Sequence, residues 1–137
     1  MGVRVKVRLR NKVKRNTVET SALLNSGYES RNPEVTLPKR VAKALALFPL
    51  PENARVVTVR TSGGLISEIF VPNAIELELL DDSGNVLRKI DVDVSISETE
   101  DEVLISDSGI DALNIEIISF SRGLWRLKGE KRVRHSA

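Results

Sequence analysis

Val3-Arg4-Val5-Lys6-Val7-Arg8-Leu9-Arg10 alternates apolar and basic residues without a break. A period of two places all the apolar side chains on one face of a strand and all the basic ones on the other. Asn11-Lys12 reads as a turn. A second strand then runs to Leu24, with Val18, Ala22, Leu23 and Leu24 as its apolar residues. Asn25–Asn32 is rich in Ser, Gly and Asn and reads as a loop. Val35-Thr36-Leu37 is a short strand stopped by Pro38. Pro38 suits the first turn of a helix, where a missing N–H costs nothing. That helix is the clearest in the chain. Val41, Ala42, Leu45 and Leu47 form its apolar stripe, Lys39, Arg40 and Lys43 face water, and Pro49 and Pro51 end it.

The rest of the chain is mostly strand. Arg55–Thr61 and Leu65–Val71 flank Ser62-Gly63-Gly64, and a glycine pair between two β-branched runs predicts a hairpin. Ile75–Leu80 alternates apolar residues with Glu76 and Glu78. Asp81–Asn85 is a turn, and Val86–Ile96 follows with Ile90, Val92, Val94 and Ile96 on one face. Ser97–Asp101 is an acidic loop. Val103-Leu104-Ile105 is continuously apolar, as a central strand is. Asp107–Leu113 predicts a short helix capped by Ser106 or Asp107. Ile115–Phe120 and Gly123–Leu127 complete the set. Many short strands with one main short helix predict a mainly β, closed or sandwich-like domain.

Composition sets the scale. With 137 residues and 41% apolar content, the chain fits one domain, 1–137, with a substantial core and no internal boundary. It has no cysteine, which excludes disulfides and thiolate metal sites. Its single histidine, His135, lies in a basic tail and reads as solvated; no metal site is expected. No apolar run is long enough for a membrane span and the N-terminus does not read as a signal peptide, so a cytoplasmic location is expected.

The net charge of +2 conceals an asymmetry. Residues 1–15 hold seven basic residues and no acid, and residues 122–137 hold six against Glu130 alone. The segment between them is strongly acidic. Basic ends of this kind fit an anionic partner such as nucleic acid. They fit better a self-neutralising arrangement, in which the ends lie on the acidic body of the same chain or of a partner.

The candidate chemistry lies at Ala22-Leu23-Leu24-Asn25-Ser26-Gly27, a buried strand that ends in a turn presenting one polar side chain. Leu104-Ile105-Ser106-Asp107 is a faint echo of it in the last third of the chain. The order of elements resembles the retropepsin-like (retroviral-type) aspartic peptidases over about residues 17–120. In that family a strand delivers a hydrophobic-hydrophobic-Asp-Thr/Ser-Gly turn, matched here by Leu23–Gly27. A strand and helix follow, then a glycine-bearing flap, matched by Thr61–Leu65, and a late hydrophobic-hydrophobic-Gly segment before a short helix, matched by Leu104–Leu113. Within the family the chain is most similar to an archaeal group that carries Asn-Ser-Gly-Tyr-Glu, Leu-Ile-Ser-Asp and Gly-Leu-Trp-Arg segments.

The resemblance implies a closed retropepsin-like acid-protease barrel of six or more strands, active only as a homodimer. It places Asn25, Ser26 and Gly27 at the catalytic position, and Tyr28, Glu29, Ser62, Gly63, Gly64, Ser106 and Asp107 around a groove between subunits. Two departures bear on activity: Asn25 stands for the catalytic aspartate, and Ser106 for the second glycine. Peptide hydrolysis of this type needs two carboxylates that share one proton and activate a water. Asparagine neither ionises nor supplies an acidic proton. Glu29 or Asp107 as a substitute carboxylate, deamidation of Asn25, and engineered replacement of an aspartate are the routes by which activity would survive.

The expected protein is therefore a non-catalytic homodimer with an extended peptide in the inter-subunit groove and no cofactor. Two alternatives stand beside it. One is a retroviral-type aspartic endopeptidase whose aspartate is replaced by Asn25. The other is a nucleic-acid binder acting through its basic termini, although interleaved aromatics are lacking apart from Trp125.

Overall fold

The computed structural model describes residues 2–137. It is 52% strand and 9% helix, hence mainly β. The elements are β1 (Arg4–Asn11), β2 (Thr17–Leu24), β3 (Glu34–Pro38), α1 (Lys39–Ala44), β4 (Arg55–Thr61), β5 (Gly64–Leu80), β6 (Val86–Ser97), β7 (Val103–Ile105), α2 (Asp107–Ala112), β8 (Ile115–Ser119), β9 (Leu124–Leu127) and β10 (Arg134–His135). Six strands close into a barrel in the order β1-β2-β7-β3-β6-β5, with β5 returning to pair with β1. β4 lies outside the closure as a hairpin arm on β5, and β8, β9 and β10 form a separate three-stranded sheet.

The barrel interior is what the period-two pattern predicts. Val5, Val7 and Leu9 of β1 are at most 1% exposed, as are Ile75, Leu77 and Leu79 of β5. Burying a side chain of that size contributes about 1.5–3 kcal/mol. The opposite face of β1 carries the arginines, and the register sets Arg8 directly across from Glu78 and Arg10 across from Glu76. Their guanidinium groups meet those carboxylates at 3.0 Å and 2.9 Å. Arg4 makes a two-pronged pair with Glu102 at 2.8 Å and 2.9 Å, and Lys12 reaches Asp91 at 3.2 Å. Arg134 pairs with Glu130 at 2.6 Å. Arg4, Arg8, Arg10, Lys12 and Arg134 are thus paired with acids of their own chain.

The tail is not free. β10 pairs with β9, and the indole N–H of buried Trp125 donates to the His135 carbonyl at 3.3 Å. The His135 side chain itself remains exposed, as its place in the tail implies.

Three local expectations change. The main helix does not run to Leu47. It ends after Ala44, where Ala46 takes a left-handed φ of 58°. The Ala46 N–H donates to the Lys43 carbonyl and the Leu47 N–H to the Ala42 carbonyl, at 2.9 and 3.0 Å. This is a Schellman closure, which stops the helix before either proline is reached. Pro38 precedes the helix as its N-cap rather than opening its first turn. The predicted strands Leu65–Val71 and Ile75–Leu80 are one strand, β5, with a register shift between Val71 and Ile75. Pro72 has no N–H for the ladder, and Asn73 bends the chain at φ 49°. A break in the alternation there marks a bulge, not a turn. At the hairpin tip, Thr61 already pairs with Gly64, so the turn is Ser62-Gly63, and only Gly64 has a positive φ, 112°.

Candidate functional site

The strand β2 pairs in parallel with β7, Leu23 against Leu104 and Leu24 against Ile105. The two echoing segments therefore lie side by side in register, and their turns leave the barrel at the same end. Asn25 begins the first turn. Its N–H donates to the Ile105 carbonyl at 3.1 Å, and its own carbonyl accepts the Tyr28 N–H at 3.0 Å. The side-chain Oδ1 accepts the Gly27 N–H at 3.1 Å, an Asx turn that holds the amide against its own loop. The Tyr28 carbonyl accepts the Asp107 N–H at 2.8 Å, which ties the first turn to the second.

Asn25 and Ser26 line an open cleft of about 410 Å³ with Gly2, Arg4, Leu23, Leu24 and Phe120. Ser26, Gly27 and Glu29 are exposed. Tyr28 turns inward, and its hydroxyl donates to Glu34. Ser62, Gly63 and Gly64 lie exposed at the hairpin tip; among the described residues no hydrogen bond links them to the Asn25 turn.

Ser106 and Asp107 serve the loop rather than the cleft. Ser106 is fully buried. Its Oγ caps α2 by accepting the Gly109 N–H at 3.1 Å, accepts the Glu34 N–H at 3.1 Å, and lies 2.8 Å from the Ser30 hydroxyl. Asp107 Oδ1 accepts the N–H groups of Ser30 and Ser108 at 3.0 and 2.7 Å. Both bonds fall on Oδ1, and Asp107 is not among the residues that line the cleft.

A second polar group was missed by sequence reasoning. Glu34 opens β3, and Thr36 follows on the same face. Register places Thr36 beside Ser95 of β6, and Ser95 beside Phe70 of β5. The Ser95 hydroxyl donates to Glu34 at 3.2 Å. Burial, and then the hydrogen bond to Glu34, raise the Tyr28 pKa, with the negative charges of Glu34 and Glu68 adding to it. Burial raises the Glu68 pKa above its ordinary 4.5; a Ser97 hydrogen bond opposes the shift, and Glu34 and Glu100 reinforce it. Only the period-two face of Glu34 and Thr36 was visible in the sequence; the neighbouring strands were not.

A carboxyl group whose pKa is raised in the fold favours the protonated form. Its stabilising contribution is present below the unfolded value of 4.5 and lost as pH rises through the higher folded value. Glu68→Gln, which keeps the neutral shape, is expected to raise the melting temperature at neutral pH. The gain should shrink towards zero in scans below about pH 4.5. A variant equally or less stable than the parent at neutral pH would contradict this.

Among the described residues, no group of three or more His, Asp or Glu side chains is arranged to hold a metal ion. No helix is long and apolar enough to cross a membrane. Neither a scan against models of protein families nor a search of curated proteins finds a match.

Proposed function

We propose that this chain is a retropepsin-like domain without peptidase activity, which pairs with a second copy and holds an extended peptide between the two. The observation that carries the reading is the turn at the end of β2. It presents an amide at the mouth of an open cleft, while Asp107 lies outside the cleft lining with its Oδ1 accepting two backbone N–H groups. A general acid and a general base contribute about 10²–10⁴-fold each to such hydrolysis, so their joint loss removes nearly all of it. The β4–β5 hairpin standing off the barrel supports the reading as an arm that can close over a bound strand. An extended peptide would gain affinity through main-chain hydrogen bonds, with Asn25 able both to donate and to accept.

The nucleic-acid alternative is weakened by the ion pairs of Arg4, Arg8, Arg10 and Lys12, whose charges face acids of their own chain. Binding a phosphate backbone would require breaking those pairs.

The test combines sedimentation with a hydrolysis assay. The expected result is a dimer that binds extended peptides and leaves unstructured polypeptide intact at acidic pH. Cleavage that pepstatin-type inhibitors stop would overturn the reading. If Asn25→Asp cleaves while the parent sequence does not, the endopeptidase alternative gains: the site would then lack one residue only.

A further inference from the structure

We infer that Asn25 is the deamidation site of this chain, converted spontaneously to aspartate or isoaspartate through attack by the Ser26 backbone nitrogen. The reaction needs three things: a small residue after the asparagine, an unengaged N–H on that residue, and a carboxamide free to lose ammonia. Each asparagine in the chain can be judged on these points.

Asn32 is followed by Pro33, which has no N–H. Asn11 is buried and its amide donates to the Leu45 carbonyl at 2.8 Å, while the Lys12 N–H is bonded to the Ala74 carbonyl. The Ala54 N–H following Asn53 is bonded to Pro51. Asn16, Asn85 and Asn114 precede the first residues of β2, β6 and β8, and those residues, Thr17, Val86 and Ile115, are β-branched and strand-paired. Asn73 is followed by small Ala74, but it lies inside β5, where its N–H is bonded to Asp93 at 2.8 Å and its side chain is tethered to Lys12 at 3.0 Å, so the backbone that must swing onto Cγ is held by the strand.

Asn25 meets all three conditions. Ser26 is small and exposed, and its N–H has no hydrogen-bond partner among the described residues. The Asn25 Nδ2 donates to nothing there either, and the cleft beside it admits water. The one contact of the carboxamide, Gly27 N–H to Oδ1, polarises Cγ and stabilises negative charge developing on that oxygen.

In the reaction the Ser26 nitrogen bonds to Asn25 Cγ and gives up its proton to solvent. The Cγ–Nδ2 bond breaks, and Nδ2 leaves as ammonia after taking up protons from solvent. Water then opens the five-membered imide at one carbonyl to give aspartate, or at the other to give isoaspartate. The sum is asparagine plus water giving a carboxylic acid plus ammonia, with no oxidant or reductant. Aspartate keeps the backbone and strengthens the Gly27 contact through charge. Isoaspartate lengthens the backbone by one atom and breaks the turn that joins Ile105 to Tyr28.

The proposal needs only one chain and does not rest on the peptide-binding reading. Because a partner across the turn would shield Asn25, the protein is incubated in mildly alkaline buffer at dilutions where sedimentation finds a monomer. Peptide mapping by mass spectrometry follows the gain of about 1 Da. The expected result is modification at Asn25 roughly tenfold faster than at any other asparagine, a difference of about 1.4 kcal/mol in barrier. Ser26→Val, which crowds the attacking nitrogen, should slow it at least as much in protein whose circular dichroism is unchanged. If Ser26→Val fails to fold, Ser26→Thr serves instead, since it keeps the hydroxyl while its branched Cβ crowds the same nitrogen. Modification at Asn25 no faster than at Asn53 or Asn73, or unslowed in the variant used, would overturn the proposal.

Discussion

Replacing Ser106 by alanine is expected to lower stability by about 2–4 kcal/mol, the combined scale of a lost helix cap and a buried donor left without a partner. The Ser106 Oγ is fully buried and is the acceptor for the Gly109 and Glu34 N–H groups. Alanine removes it and leaves both donors without this acceptor, the Gly109 N–H in a buried position. Glu34 begins β3 and Gly109 lies in α2, so the loss falls on the joint between the barrel and the short helix. Denaturant unfolding measures it as a lower midpoint at unchanged slope. A change under about 0.5 kcal/mol, the usual size for an indifferent surface site, would show that the two N–H groups find other acceptors. Glycine at this position should cost at least as much, since it removes the same oxygen and adds backbone freedom.

Leu77→Ala is expected to be of similar or larger effect, about 2–5 kcal/mol, from lost transfer energy and the cavity left behind. Leu77 is fully buried, lies opposite Leu9 across the β1–β5 seam that closes the barrel, and faces Ile90 on the other side. The same substitution at Leu65, 64% exposed near the hairpin tip, provides the contrast. Leu65→Ala should change stability by less than about 0.5 kcal/mol. Equal losses at the two positions in chemical denaturation would mean that the hairpin arm is packed against something in solution.

Much of the strand content was legible because it needed only local information. The alternation Val3–Arg10 identifies β1 and both of its faces, and the helix from Asp107 with its Ser106 cap follows from residue type and spacing. The structure departs from the local pattern where local signals compete. Pro49 and Pro51 looked like the stop for α1, but a left-handed residue with no glycine signal, Ala46, closes it earlier. The alternation breaks after Val71, but the β6 ladder carries β5 through Pro72 as a bulge. At the candidate site, Asn25 and its turn were legible, since strand, polar residue, hydroxyl and glycine occur in sequence. Glu34, Ser95 and Glu68 were not, because three different strands contribute them and none is unusual in its own segment.

The sequence by itself determined that this protein is mainly β, which face of each regular strand is apolar, and that an amide rather than a carboxylate ends the Leu23–Leu24 strand. Tertiary structure decided the rest. It placed β2 beside β7, which brought two distant turns to one end of the barrel. It set the arginines of β1 across from the glutamates of β5, and it turned Ser106 from a candidate cleft residue into a buried cap. The physical reason is common to all three. A period of two fixes where a side chain points, but the partner strand is chosen by long-range pairing and closure of the core, which no single segment encodes.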